Sequence, residues 1–569
     1  MVHKGRVYFI TVFLIAGFFV LIWRLAILQI IHGEAMSKRA EGLHTTTITI
    51  QSERGQIFDR KGVPLALNVP SYSIFWRRTQ RPPEKEKLKI LFTLVNKDWE
   101  HIERKIEQGA KFIYLARSAG QDYLKAVKEN LTEGIEWKEG KKRFYPYGKL
   151  ASHVIGFVGT DGGLEGIEKY YGDLLRGKPG LKLVERDARG NILYTLEKEF
   201  YSPQRGYDIY LTIDSVIQYI VEKEMEEIQN KFEPKNSIVI ALEPKTGRIM
   251  AMATFPSYDP NRFREFNSAH FRNRAISDCF EPGSVFKIIT ASIALEEGSI
   301  SPGDRIFCEN GVYRMATHTI HDVHPYGWLT FAQALANSSN IAFAKIGTQI
   351  GKERLYRYIR EFGFGERTGI DLQGESPGLF RSINEWSKLS VVTLSFGQEI
   401  GVTPLQLASA VGAVANSGIL MRPFIVDKIV DENGNLIKKN RPTVRRRVIS
   451  PETAEILTSL LVGVVENGTG KPARIEGYKI AGKTGTAQKY IPGEGYSHKK
   501  FTSSFIGYAP ASDPKVLLLV MVDEPNGAYY GSQVAAPPFK NIMEKVLRHL
   551  EISPEFPKER VKPLELVER

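Results

Sequence analysis

The sequence predicts an α/β composition of the α+β kind: an antiparallel sheet flanked by helices, preceded by an elongated α+β module and one transmembrane helix. Three observations lead there. Residues 7–23 form an unbroken uncharged run that continues past Arg24 through 25–31. Strand-like segments lie at both ends of the C-terminal half with helical patterns between them, so one sheet has to be assembled from distant pieces. At 569 residues the chain exceeds what one hydrophobic core supports, which calls for two or three folded units.

At about 1.5 Å per residue the apolar run of 7–31 matches a hydrocarbon core, with Arg24 able to snorkel to the interface. The sequence Gln29-Ile30-Ile31-His32-Gly33 lacks a small-residue cleavage pattern, so the run reads as an uncleaved anchor behind a short cytoplasmic tail, 1–6. Lys4 and Arg6 on one side are matched by Lys38 and Arg39 on the other, and charge alone does not orient the helix.

Residues 32–206 read as the elongated module. Its first strand is expected at 45–51, where β-branched residues dominate, followed by a turn in Arg54-Gly55-Gln56-Ile57-Phe58-Asp59-Arg60-Lys61-Gly62. A second Gly-rich stretch, 159–168, precedes a helix expected through Leu175 and a stop at Gly177-Lys178-Pro179-Gly180; it overlaps a second motif segment, Gly163-Leu164-Glu165-Gly166-Ile167-Glu168-Lys169-Tyr170. The main domain is expected over 207–550. It contains a capped helix from Asp214-Ser215, a hairpin of 237–242 with 248–253, helices over 285–415, strands at 477–488, 501–508 and 515–522, and a closing helix at 537–550. The charged tail, 551–569, reads as solvated and poorly ordered.

Composition excludes more than it assigns. With 42% hydrophobic and 25% charged residues the chain is an ordinary globular one. The net charge of +13 is spread without a dense basic arm, which argues against nucleic acid and suits a surface beside an anionic membrane or wall. Two cysteines, Cys279 and Cys308, make neither a disulfide framework nor a four-thiolate zinc site, and leave one bridge or two buried thiols open. His318, His321 and His324 recur at spacing three, but His324-Pro325-Tyr326-Gly327 reads as a turn, and no metal or other cofactor is expected.

Three short patterns carry the chemistry: Ser-x-x-Lys, Ser-x-Asn and Lys-Thr-Gly. The first occurs at Ser284/Lys287, Ser497/Lys500 and Ser512/Lys515. Only Ser284 follows a chain break, Pro282-Gly283, and opens an apolar helix, which places Ser284 and Lys287 on one face in the field of a helix N-terminus. A serine hydroxyl needs a base, and a lysine serves as one only when desolvation or a cationic neighbour depresses its pKa. Lys-Thr-Gly occurs at Lys245, inside the hairpin turn, and at Lys483, in a strand whose glycines suit close approach of a ligand. Ser338-Ser339-Asn340 falls on a helical stretch, 330–350, where an interior Asn340 is mildly unfavourable and so suggests a function; a second match at Ser382/Asn384 is less ordered.

The ordered set Ser284, Ser338, Lys483 resembles that of the class B, monofunctional penicillin-binding proteins, and the two motif segments of the module resemble those of the family's non-catalytic pedestal, where they are expected to make salt bridges and turns. The resemblance implies a serine transpeptidase / β-lactamase-like domain. Within the family, Val402-Thr403-Pro404-Leu405-Gln406-Leu407-Ala408 and Ser504-Phe505-Ile506-Gly507-Tyr508-Ala509-Pro510 look closest to the division-specific type, FtsI, and Glu281-Pro282-Gly283-Ser284 departs from the elongation type's Pro-Pro-Gly-Ser. Carried over, Ser284 is the nucleophile and Lys287 its base. Ser338 relays protons and Asn340 positions, while Lys483, Thr484, Gly485 and Thr486 bind the substrate carboxylate. The backbone N–H groups of Ser284 and Thr486 form the oxyanion hole.

The implied activity is D,D-transpeptidation of peptidoglycan stem peptides ending in D-Ala-D-Ala, blocked by β-lactams, in the bacterial inner membrane with the catalytic domain extracytoplasmic. Implied partners are a multi-spanning glycan-strand polymerase of the FtsW type and other divisome proteins. A serine β-lactamase or sensor, an elongation-type enzyme and a catalytically inactive divisome scaffold are the competing readings.

Overall fold

A computed structural model describes residues 4–79, 81, 83–186, 192–193, 199–315 and 318–556. The chain forms two compact units: Met1–Arg54 with Arg176–Gly206, and Gly55–Leu175 with Tyr207–Arg569.

In the first unit, helix α1 (Lys4–Ala26) runs into a π-helical turn, Ile27–Ile31. Together they make one helix long and apolar enough to cross a membrane. The alternating Thr45-Thr46-Thr47-Ile48-Thr49-Ile50 favours an extended, pleated backbone. It forms a strand, Thr45–Ile50, antiparallel to Gly180–Arg186, which also pairs with Ile192–Leu193 and Glu199–Tyr201.

Among the described residues the second unit holds two large sheets and three two-stranded ones. In the seven-stranded one, Ile57–Phe58 pairs in parallel with Asp208–Leu211, which pairs with Val426–Val430, so the segment 55–175 is hydrogen-bonded into the C-terminal part. The turn of the first motif closes on Gly62 at φ +87°, and the Asp59 carboxylate accepts the N–H groups of Lys61 and Val63 and the Ser215 hydroxyl. Its neighbour Asp214 caps α2 (Ser215–Phe232), as the capped start at 214–215 leads one to expect.

The five-stranded sheet is entirely antiparallel. In chain order its strands are β1 (Asn236–Leu242), β2 (Ile249–Phe255), β3 (Ala481–Ile491), β4 (Gly495–Ala509) and β5 (Val516–Asp523); in space they run β2-β1-β5-β4-β3. Both faces are covered, which explains why β1 and β5 read as continuous apolar runs despite the antiparallel pairing. Along β1, Ile238, Ile240 and Leu242 enter one core while Val239 and Ala241 enter the other. The second core is closed by α2, through Ile217, Val221, Met225 and Ile228, and by the terminal helix Ala536–His549. The first is closed by a fully buried helix, Pro404–Ala415.

Three expectations are corrected. The stretch 330–350 is not one helix but two, Phe331–Ala336 and Asn340–Ile350, because Ser338 takes φ +60° between them. Asn340 is therefore a first-turn residue with Ser339 as cap, and the argument from an unfavourable interior Asn does not apply. The strand near the second Lys-Thr-Gly begins at Ala481 rather than 477, since Gly477 turns the chain at φ +86°. The described start of the tail, 551–556, is mostly exposed but tied to the domain: Tyr478 donates to Ile552 O at 2.6 Å, and the Glu555 carboxylate accepts the Lys479 N–H at 2.7 Å. Residues 557–569 lie outside the described residues.

Candidate active site

Ser284 sits on a single 3₁₀ turn, Gly283–Phe286, that leads into α3 (Lys287–Glu296). The turn is fixed by Gly283 at φ +53°, whose N–H donates to Gly397 O at 3.0 Å. The Ser284 hydroxyl is half-buried and has no hydrogen-bond partner among the described residues. One turn on, Lys287 is fully buried. Its Nζ donates to Ser338 O at 2.6 Å, Asn340 Oδ1 at 2.8 Å and Ser338 Oγ at 3.3 Å.

Ser338 is presented by the break between α4 (Phe331–Ala336) and α5 (Asn340–Ile350). A non-glycine residue in this left-handed conformation costs about 1–3 kcal/mol, and the conformation places the hydroxyl between two lysines, because Lys483 Nζ also donates to Ser338 Oγ, at 2.9 Å. The Asn340 amide is oriented by a second bond: Nδ2 donates to His321 O at 3.1 Å, which leaves Oδ1 for the lysine.

Beneath this layer stands Asp322, which is not among the expected site residues. Its carboxylate accepts from Ser339 Oγ and from the N–H groups of Asn340 and Ile341, capping α5 where its helix dipole favours an anion. Asp322 directly follows the short strand His318–His321 in a turn-rich loop, so no periodic pattern marks it. Cys308 is buried against the Ser339 hydroxyl, and Cys279 and Cys308 are free thiols.

Lys483 lies on β3, the edge strand beside the nucleophile turn, and is fully buried. Gly485 makes the approach possible. A Cβ there would fall 2.3 Å from Ser504 Oγ and 2.8 Å from Val285 Cγ2. At Gly482 it would meet Phe505 and the Ile506 carbonyl. These glycines admit the protein's own neighbours, one of them the turn that carries Ser284. The Thr484 hydroxyl pairs with Thr469 Oγ1 at 2.8 Å, and Thr486 Oγ1 accepts the Gly531 N–H at 2.9 Å, leaving the Thr486 hydroxyl proton available to a ligand.

The electrostatics of the two lysines follow from burial without a paired carboxylate. Burial first, and then the Lys483 charge, hold Lys287 well below the usual lysine range, against the pull of Asp322. Burial pushes Lys483 down to about 7. The two buried ammonium groups are coupled and titrate as a pair.

Ser284, Lys287, Ser338, Asn340 and Lys483 are thus brought together with Thr484, Gly485 and Thr486 on one strand. The duplicate patterns lie elsewhere. Lys245 is in the hairpin turn and pairs with Asp513, Ser497 accepts the N–H groups of Lys499 and Lys500, and Ser512 donates to Glu555. Ser382 caps a short turn with Glu385.

Two family models match the chain: the Penicillin binding protein transpeptidase domain over residues 237–544 and the Penicillin-binding Protein dimerisation domain over 49–211. The chain is 35% identical to Stage V sporulation protein D of Bacillus subtilis over 97% of its own length and 86% of that protein's. It is 32% identical to Peptidoglycan D,D-transpeptidase FtsI of Escherichia coli, over 94% and 90%. Its fold matches the crystal structure of penicillin binding protein 3 from Mycobacterium tuberculosis in complex with aztreonam, with a TM-score of 0.70 and 28% identity over 90% of this chain and 100% of that one. Two matched domains in this order, relatives aligned over nearly the whole chain, and a serine flanked by two buried lysines make this chain a class B penicillin-binding protein.

Proposed function

We propose that the chain is a peptidoglycan D,D-transpeptidase that works through a serine acyl-enzyme, anchored by α1 in the bacterial inner membrane with its catalytic domain outside the cytoplasm. The observation that carries the mechanism is the Ser338 hydroxyl held between the two fully buried lysines, Lys287 and Lys483.

Neutral Lys287 keeps two donors for Ser338 O and Asn340 Oδ1 and turns its lone pair to the Ser284 proton. Ser284 Oγ bonds to the penultimate D-alanine carbonyl, with the oxyanion held by the Ser284 and Thr486 N–H groups. As the intermediate collapses, the carbonyl's bond to the terminal D-alanine nitrogen breaks, and the proton reaches that nitrogen through Ser338. The amine of a second stem peptide then attacks the ester, its proton returns along the same path, and Ser284 is released. Lys483, still charged, together with the Thr484 and Thr486 hydroxyls, holds the substrate carboxylate. The resemblance to the division-specific type points to septal wall synthesis beside a multi-spanning glycan-strand polymerase of the FtsW type and other divisome proteins.

The test is labelling of the full chain in detergent by a fluorescent penicillin, compared with Ser284→Ala and Ser497→Ala. Stable label lost only in Ser284→Ala is the expected result. Rapid release of label from the wild type points instead to a β-lactamase, and absence of label to a scaffold.

A further inference from the structure

The turn that carries Ser284 has a neighbour that the mechanism leaves unused. Glu281, the residue by which this chain departs from Pro-Pro-Gly-Ser, directly precedes Pro282. Its side chain is partly buried, and both of its hydrogen bonds to described groups fall on one oxygen. Oε1 accepts the Glu399 N–H at 2.9 Å and the Tyr496 hydroxyl at 3.1 Å. Burial holds this carboxyl above its ordinary range, against the pull of those two bonds; the Glu399 charge adds to the rise, and no cation opposes it. A carboxyl kept in such a place is costly, and what it ties together explains it.

The two donors come from elements of opposite character. Glu399 sits in a left-handed conformation at φ +61°, and its own carboxylate is fixed by Arg381 at 2.8 Å and by the Ser390 and Thr393 hydroxyls at 2.8 and 2.6 Å. The same bend presents Gly397, whose carbonyl accepts the Gly283 N–H and where a Cβ would fall 2.2 Å from Gly283 O. The bend at 397–399 is therefore fixed to the chain on both sides of Pro282. Tyr496, by contrast, belongs to the part of the β3–β4 hairpin that has left the sheet. β5 pairs with β4 only over 502–509, so residues 488–501 form an arm paired to itself, with a register break between Gln488 and Tyr490 at its root.

A two-stranded hairpin by itself is marginally stable in water. This one contributes a Tyr490–Tyr496 ring contact at 5.6 Å and a Gln488–His498 bond at 3.3 Å. Among the described residues, the one hydrogen bond from 490–498 to the rest of the domain is that of Tyr496 to Glu281. The arm starts directly after Thr486 and Ala487, and Ala487 faces Gly283, where an added Cβ would come 3.0 Å from the alanine's.

We propose that Glu281 is a positioning residue for acylation: it latches the arm, through Tyr496, to the fixed bend at 397–399, and so holds the Ser284 turn and the Thr486 strand at one separation. The inference rests on the reading of Ser284 as the nucleophile. Oxyanion stabilisation needs the Ser284 and Thr486 N–H groups to converge on one atom, and Glu281 is bonded to the neighbours of both elements. Glutamine fits the same place. Its Oε1 accepts both donors, and its amide nitrogen takes the position of Oε2, which bonds no described group.

In the full chain in detergent, hydrogen exchange followed by mass reads the arm, and stopped-flow penicillin labelling reads its consequence. Glu281→Ala should speed exchange over 489–500 about tenfold. It should slow the acylation rate constant roughly tenfold to a hundredfold, while the dissociation constant of the preceding complex stays within about threefold. Glu281→Gln should restore both the protection and the rate. Tyr496→Phe removes a single hydroxyl from a partly exposed ring; it should speed exchange over the arm and slow acylation several-fold, and it carries the test if Glu281→Ala does not fold. The double variant should be no slower than Glu281→Ala alone, because the tyrosine acts only through the carboxyl. Unchanged exchange and rate in Tyr496→Phe, a Glu281→Gln as slow as Glu281→Ala, or losses that add in the double variant would overturn the latch. A wild-type chain that takes no label removes the transpeptidase reading instead, and exchange over the arm then decides the latch by itself.

Discussion

Two buried charged clusters lie in the same unit and are built on opposite principles. Where the two pedestal motifs meet, Arg143 is 6% and Glu168 0% exposed at the side chain, and they pair at 2.6 Å. Arg143 also donates to Gly55 O, at 2.7 Å, tying the first motif to the second, and Tyr145 adds its hydroxyl to the same Glu168 oxygen. Opposite charges here satisfy each other. At the catalytic cleft, two lysines of like charge are buried against one serine hydroxyl, and Asp322, the nearest carboxylate acting on Lys287, is spent on capping α5. A cluster that serves the fold neutralises its charge. A cluster that serves chemistry leaves the charge unresolved and so shifts it into the working range.

That contrast can be broken most directly at Lys287. Lys287→Met should lower the rate constant of penicillin acylation by on the order of 10³-fold. It should move stability by only about 1 kcal/mol, because the lost hydrogen bonds are offset by removal of a buried, desolvated amine beside the Lys483 charge. Stopped-flow labelling and thermal melts read the two effects, and a large loss of stability would erase the distinction.

The reverse pattern is expected for Glu168→Gln, which strands Arg143 and should destabilise the protein by about 3–5 kcal/mol. The folded fraction should acylate at the wild-type rate in the same assay. Asp322→Asn falls between: the loosened cap lets Asn340 and Ser338 drift, and acylation should slow by roughly tenfold to a hundredfold, with a smaller change in melting temperature.

The mildest effect needs no substitution. Acylation requires Lys287 neutral and Lys483 charged, so the rate should climb from acid pH as Lys287 releases its proton. It should then fall to half near pH 7, where Lys483 loses its own. A rate that keeps rising into the alkaline range would show that the Lys483 charge is not used.

Ser284 could be told from the other two Ser-x-x-Lys serines because Pro282-Gly283 stops one chain direction and an apolar helix starts the next, and local grammar of that kind is written in sequence. The second Lys-Thr-Gly could be told from the first for the same reason, since turn residues surround Lys245. What sequence could not give was the break at Ser338. Phe331–Ala336 and Asn340–Ile350 share an apolar pattern that continues through Asn337, and nothing local demands a left-handed serine. Tertiary contacts decide it, with Asp322 holding the next helix by its first N–H groups. Gly485 was legible as a close approach but not as an approach to Val285, which lies about 200 positions earlier in the chain. The docking of residues 552–556 on the 477–479 loop was likewise hidden, because a charged tail has no periodicity to betray it.

The order β2-β1-β5-β4-β3 has a consequence for the life of the chain before it is complete. β5 is the middle strand, yet it is the last of the five to be synthesised. A polypeptide that has emerged as far as Ala509 already carries Ser284, Lys287, Ser338, Asn340 and Lys483, but lacks the strand through which β3 and β4 join β1 and β2. Such long-range pairing also forms late on any folding route. On the proposed mechanism Ser284 is then chemically silent through most of its own manufacture, and reactivity toward penicillin becomes a certificate that the final strand has been threaded into place.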